Sequence, residues 1–189
     1  MLDFANIKTY PIAERANKFS LNDMIPLDHS IQHEDKNLEA LADSMVKAKA
    51  QGAKNLIMLG GAVIKVGCSD LLIDLMEKGY INFLAVNGAV SIHDFEVAMI
   101  GETSEDVERG LEDGTFGMVD ETGKHINEAL IEGYKKGIGY GSAVGEKIAE
   151  MNLPYKERSV LYQAHRLSIP LTVHVAIGGD IIHQHPSCD

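Results

Sequence analysis

The 189-residue sequence has no tryptophan, two cysteines, five prolines, and only 17 basic residues against 28 acidic ones. Each shortage narrows the field. Cys68 and Cys188 are too few and too far apart to form a disulfide framework, which points to a reducing compartment. A formal charge of −11 argues against a surface that follows nucleic-acid phosphates, because such surfaces concentrate Lys and Arg. Met1-Leu2-Asp3-Phe4 opens no basic-then-apolar leader, and apolar runs such as 55–66 fall short of the roughly 20 residues that span a membrane. The expectation is a cytoplasmic protein with neither nucleic-acid nor membrane partners. Hydrophobic residues make up 45% of the chain, enough for one substantial core. We therefore expect an N-terminal extension over 1–35 and one domain over 36–189.

The pattern along that domain is regular. Leu38, Leu41, Met45 and Ala48 share a helical face closed by Gly52. The run Leu56-Ile57-Met58-Leu59 shows no alternation, so a parallel strand covered on both faces is expected, ending at Gly60-Gly61. A helix with Leu71, Leu72, Leu75 and Met76 inward leads to a second apolar run, Ile81 to Val86, and a second glycine turn, Asn87-Gly88-Ala89. A helix follows from Ser91 to Ile100. Strand, glycine turn and helix, taken twice, predict right-handed βαβ units in a doubly wound, mostly parallel α/β sheet of Rossmann-like type.

Elsewhere the signals are plainer. Ile7 to Ile12 reads as an edge strand broken by Pro11, and Pro26 to Asp35, with His29 and His33, as a loop. Ser104 to Gly117 reads as a surface excursion with one short helix, Glu105 to Leu111. Helices are expected over 121–136, 142–151 and 156–167, then a strand over 169–177 and an extended segment over 181–185. A doubly wound domain usually continues with a helix after such a strand, so a C-terminally incomplete member of its class is expected.

Chemistry gathers at the strand ends. Glycine there admits a ligand to the backbone, and helix N-termini favour anions, so a nucleotide is expected. Lys65 can meet a phosphate or form an imine, or be a solvated loop lysine. His93 and Asp94 open a helix facing the presumed crevice, although acids in a first turn also simply suit the helix dipole. His183-Gln184-His185 would set two imidazoles on one face if extended, which suits acid/base work, a zinc site or plain structure.

Together these stretches resemble the deoxyhypusine synthase family. The first runs from Gly60 to Ile100, with Val66-Gly67 between turn and helix; the second runs from Ile169-Pro170-Leu171 to His185. The resemblance implies a Rossmann-like fold, NAD, a homo-oligomer (a tetramer in that family), and a transferase that oxidises a polyamine and passes the aminobutyl group to a protein lysine. It implies NAD contacts from Gly60, Gly61, Ala62, Lys65, Gly67, Asn87, Gly88, Ala89, Gly179 and Asp180. His185, Asp94 and His93 would be catalytic, and no metal is called for. The departures are real. Gly61-Ala62-Val63-Ile64-Lys65 replaces the family's polar Ser/Asn-rich loop, and the family's catalytic lysine segment belongs after residue 189.

Gly60-Gly61 and His93-Asp94-Phe95-Glu96 also resemble the C-terminal region of bifunctional arginine dihydrolase/ornithine cyclodeaminase proteins, which the histidine and both acids fit better. That resemblance implies an NAD-dependent, ornithine cyclodeaminase-like enzyme on a small amine. A non-catalytic nucleotide-binding protein is the remaining alternative.

Overall fold

A computed structural model describes residues 6–28 and 34–188. In chain order the elements are β1 (Asn17–Ser20), α1 (Lys36–Ala50), β2 (Leu56–Leu59), α2 (Ala62–Lys65), α3 (Ser69–Glu77), β3 (Phe83–Asn87), α4 (Gly88–Ile100), β4 (Glu102–Glu105), α5 (Val107–Asp113), α6 (Asp120–Lys136), α7 (Tyr140–Glu150), α8 (Val160–Arg166) and β5 (Leu171–His174). The three apolar strands form the expected parallel sheet, in the order β2-β3-β5. This is the Rossmann-like α/β fold that the repeated strand, turn and helix imply.

Register decides which side chains meet. Ile57, Leu84 and Leu171 lie abreast, as do Leu59, Val86 and Val173 one pleat further on, and this face packs against α4, α7 and α8. The other face departs from expectation. Leu56 is 53% and Met58 77% exposed, so β2 is an edge strand covered on one side only. Helix α1 has the expected apolar stripe, yet Leu38 and Leu41 are exposed and none of its residues is buried. It is tied down through Lys49, whose Nζ donates to Lys78 O at 2.6 Å and lies over the Tyr80 ring. Amphipathic spacing shows that a helix has an apolar face, but not that anything covers it.

The helix that matters most is α4. Nine of its thirteen residues are buried, including Ile92, Phe95 and Val97. A helix buried on most of its surface belongs inside a fold, and α4 packs against α6, α7 and α8 as well as the sheet. Asn87 starts it, its side chain accepting the Val90 N–H at 3.2 Å, and Gly101 ends it at φ 72.

Several boundaries differ from the sequence reading. Residues 17–20 form β1, paired antiparallel with β4, which leads into the supposed surface excursion. The expected strand at 7–12 is a single bridge, Tyr10 to Val119. The expected helix over 156–167 is broken at Ser159, which caps α8 by accepting the Tyr162 N–H. The segment Ile181–Gln184 is a 3₁₀ turn rather than extended. His29 and His33 lie outside the described residues. Among the described residues no helix is long and apolar enough to cross a membrane.

The two sheet faces should respond differently to substitution. Leu84 is fully buried whereas Met58 is not. Leu84→Ala should lower unfolding free energy by about 2–5 kcal/mol in urea titrations, and Met58→Ser by less than about 0.5 kcal/mol. Equal losses would contradict the open face.

Candidate functional site

Parallel register sets the two glycine turns side by side at the carboxyl ends of β2 and β3. A Cβ on Gly61 would fall 2.9 Å from Ala89 Cβ and 3.0 Å from the His93 ring, and one on Gly88 would overlap the Asp180 carboxylate. Only glycine lets these segments close together. Beside them opens a cavity of about 220 Å³, lined in part by Arg15, Lys65, His93, Glu96, Glu105 and Asp180. Gly61, Ala89, Gly179, Asp180, Lys65 and His93 therefore converge, as the turns suggested. Gly60 borders Asn87. Gly67 does not join them: it sits at φ 82 against the Asp23-Met24 backbone, and its carbonyl accepts from Ile25 N–H.

Behind the cavity lies a buried carboxylate. Glu96 is 1% exposed and takes both guanidinium arms of Arg15, at 2.9 and 2.7 Å. It also accepts the hydroxyls of Thr103, at 2.5 Å, and Thr122, at 2.9 Å. Thr103 in turn meets His93 Nδ1 at 2.8 Å. A charge this deep is tolerated only with such partners. Burial pushes the His93 pKa down to about 4, with nearby Glu96 opposing and Lys65 and Arg15 assisting. Glu105, which accepts the Gly117 N–H at 3.1 Å, is raised by burial.

Asp94, the next residue along, faces elsewhere. It is fully buried and receives the Ser159 hydroxyl at 2.5 Å and the Val160 and Leu161 N–H groups at 2.7 and 3.0 Å. It thus holds the N-terminus of α8 rather than lining the cavity. Burial outweighs these donors and raises its pKa to about 6.

His185 is also turned away. It is buried against α6, its Nδ1 accepting the Ser187 N–H at 3.1 Å and its Nε2 lying 3.4 Å from Asp120 Oδ1. His183 Nδ1 accepts from Gly178 N–H. The 3₁₀ turn separates the two rings, and among the described residues no group of three or more His, Cys, Asp or Glu could hold a metal ion.

Sequence reasoning missed Arg15, Thr103 and Thr122, and placed Glu105 only in a surface excursion. One signal was available: His93 and Glu96, three apart, share a helical face that Asp94 does not. Arg15, 81 residues from Glu96, offered none.

A family model described as arginine dihydrolase ArgZ-like, C-terminal, Rossmann fold, matches residues 39–138, just over half of the chain. The chain belongs to that family. Among curated relatives, the bifunctional arginine dihydrolase/ornithine cyclodeaminase ArgZ of Synechocystis sp. is 32% identical over 75 residues, which are 39% of this chain and 11% of ArgZ. The ornithine cyclodeaminase of Archaeoglobus fulgidus is 28% identical over 67 residues, 35% of this chain and 16% of that protein. Crystal structures of ArgZ (TM-score 0.52, 23% identity, 83% of this chain and 21% of that one) and of unliganded AgrE (0.53, 21%, 81% and 21%) share the fold. So does a LOR/SDH protein of Methanococcus maripaludis, at TM-score 0.50 and 22% identity, covering 83% of this chain and 46% of that one. The chain thus spans a small part of the curated relatives it matches.

The deoxyhypusine synthase resemblance is overturned, and with it the transferase reading. The ArgZ-like match takes in both glycine turns and His93-Asp94-Phe95-Glu96, the residues on which both resemblances rested. It leaves out residues 169–185, the second stretch of the synthase resemblance, and the matched relatives are dihydrolase and cyclodeaminase proteins. Strand-end glycines are common to many Rossmann folds and could not separate the two families.

The low pKa of His93 has a consequence for stability. A buried ring favoured as neutral contributes stability above its ordinary value of 6.5, and loses it as pH falls through that value toward about 4. Unfolding free energy should fall by up to about 3 kcal/mol from this group across that range. His93→Gln should remove that part of the slope in denaturant titrations at pH 7, 5.5 and 4.

Proposed function

We propose that this ArgZ-like domain is an NAD(P)-linked, ornithine cyclodeaminase-like enzyme acting on an amino acid at the α4 cavity. The observation that carries the reading is the cavity itself: it lies at the carboxyl ends of β2 and β3, most of its lining residues belong to the part of the chain that matches the family, and His93 opens into it. Ligands in open parallel α/β sheets sit at this position.

One buried group calls for a ligand. Gly61 and Gly88 bring their backbone hard against Ala89, His93 and the Asp180 carboxylate at the cavity's edge, and Asp180 Oδ2 is buried with no hydrogen-bond partner. A buried acceptor without a donor is costly, and a ribose hydroxyl or an ammonium group would satisfy it. Gly60, Gly61, Asn87, Gly88 and Ala89 would hold NAD(P), which supplies a hydride acceptor when bound.

The remaining lining suits an amino acid. Glu105 and Asp180 offer carboxylates to ammonium groups, and Lys65 offers a cation to a carboxylate. His93, neutral at pH 7, can accept a hydrogen bond from a substrate amine and so orient it. On ornithine the net change is ring closure with loss of one ammonia, giving proline; the atoms balance with no other product.

Incubating the chain with NAD and ornithine, with calorimetry for NAD and an enzymatic assay for ammonia, tests this. NAD should bind, and ammonia should appear only when it is present. His93→Gln should cut release at least about 100-fold, and Asp180→Ala should weaken ligand binding about tenfold. Absence of both NAD binding and ammonia release would sink the reading.

A further inference from the structure

The buried contacts around Glu96 dictate where the proton on His93 sits. Paired with both arms of Arg15, the Glu96 carboxylate is an acceptor only. The Thr103 hydroxyl lies 2.5 Å from Glu96 Oε2, and at that distance from a carboxylate it must be donating its single proton. Toward His93 Nδ1, 2.8 Å away, the same oxygen can then only accept. So Nδ1 carries the hydrogen. A neutral imidazole has one N–H, which leaves Nε2 bare on a ring that lines the cavity. Among the described residues, no hydrogen bond occupies Nε2.

We propose that Thr103 is a positioning residue that presets His93 as a proton acceptor at Nε2, with Glu96 and Arg15 holding Thr103 in turn. The chain of contacts runs from the N-terminal segment through α4 to β4, and Thr103 and Glu96 are each at most 1% exposed. The charged groups facing the ring are Lys65 from α2, Arg15 from the N-terminal segment, Glu96 from its own helix, and Glu105 and Asp180 across the cavity. Burial of the ring keeps it neutral well below pH 7, so the bare nitrogen persists at working pH. The part of a ligand that meets His93 is therefore a donor, an amine N–H or a hydroxyl, and not a phosphate or carboxylate oxygen. This assignment stands on the hydrogen-bond geometry and does not depend on the cyclodeaminase reading.

Long-range ¹H–¹⁵N correlation spectra of uniformly labelled protein test it without any substrate, with His93→Gln identifying the ring's signals. In the wild type, Nδ1 should show the protonated pattern and Nε2 the unprotonated one, unchanged from pH 7 to 5. Thr103→Val keeps the volume but removes the hydroxyl, and should let the Nε2–H form appear; Thr103→Ser should restore the wild-type pattern. A wild-type ring protonated on Nε2 would overturn the proposal, as would a folded Thr103→Val protein with an unchanged pattern. Should Thr103→Val fail to fold, the wild-type spectrum alone decides.

Discussion

A carboxylate with almost no access to water, Glu96 on the central helix, is the constraint around which the rest is arranged. Left alone it would cost several kcal/mol. It is instead surrounded by Arg15 before β1, Thr103 on β4 and Thr122 on α6. Those three partners come from three separate parts of the chain, so satisfying one charge joins the N-terminal segment, the small antiparallel ribbon and a long helix to α4. His93, one of the side chains that border the cavity, hangs from the same set of contacts.

Consecutive residues on α4 serve opposite sides of the fold. A step of 100° along a helix turns Asp94 away from the face shared by His93 and Glu96. Asp94 receives Ser159, Val160 and Leu161, and so anchors α8 beneath the sheet. Burial acts on the neighbours with opposite sign, lowering the histidine and raising the aspartate. In both cases it disfavours the charged form. The motif His93-Asp94-Phe95-Glu96 thus combines a cavity residue, a helix anchor, a core aromatic and the buried hub.

The sheet shows how far an apolar run can be trusted. Leu56 to Leu59 is apolar without alternation, which fits a strand covered on both faces. Only the face carrying Ile57 and Leu59 packs inward, while Leu56 and Met58 meet solvent. Pairing with β3 fixes the register, but what lies above the second face is a matter of neighbours.

From the sequence alone, the parallel strands and their glycine turns could be read, because hydrophobic period and glycine placement act locally. The convergence of Gly61, Ala89, Lys65 and His93 followed from the same rule that puts ligands at strand ends. The choice of family was not legible, since the same turns serve many Rossmann folds and the match to the ArgZ-like family was needed to separate them. Tertiary structure alone decided that His185 and Asp94 face away from the cavity, that Arg15 reaches Glu96 across 81 residues, and that Thr103 meets both His93 and Glu96. These facts depend on long-range packing and on a side chain's direction around a helix or within a turn. Glycine turns mark where a ligand can sit, but which side chains face it depends on how the rest of the chain folds around that place.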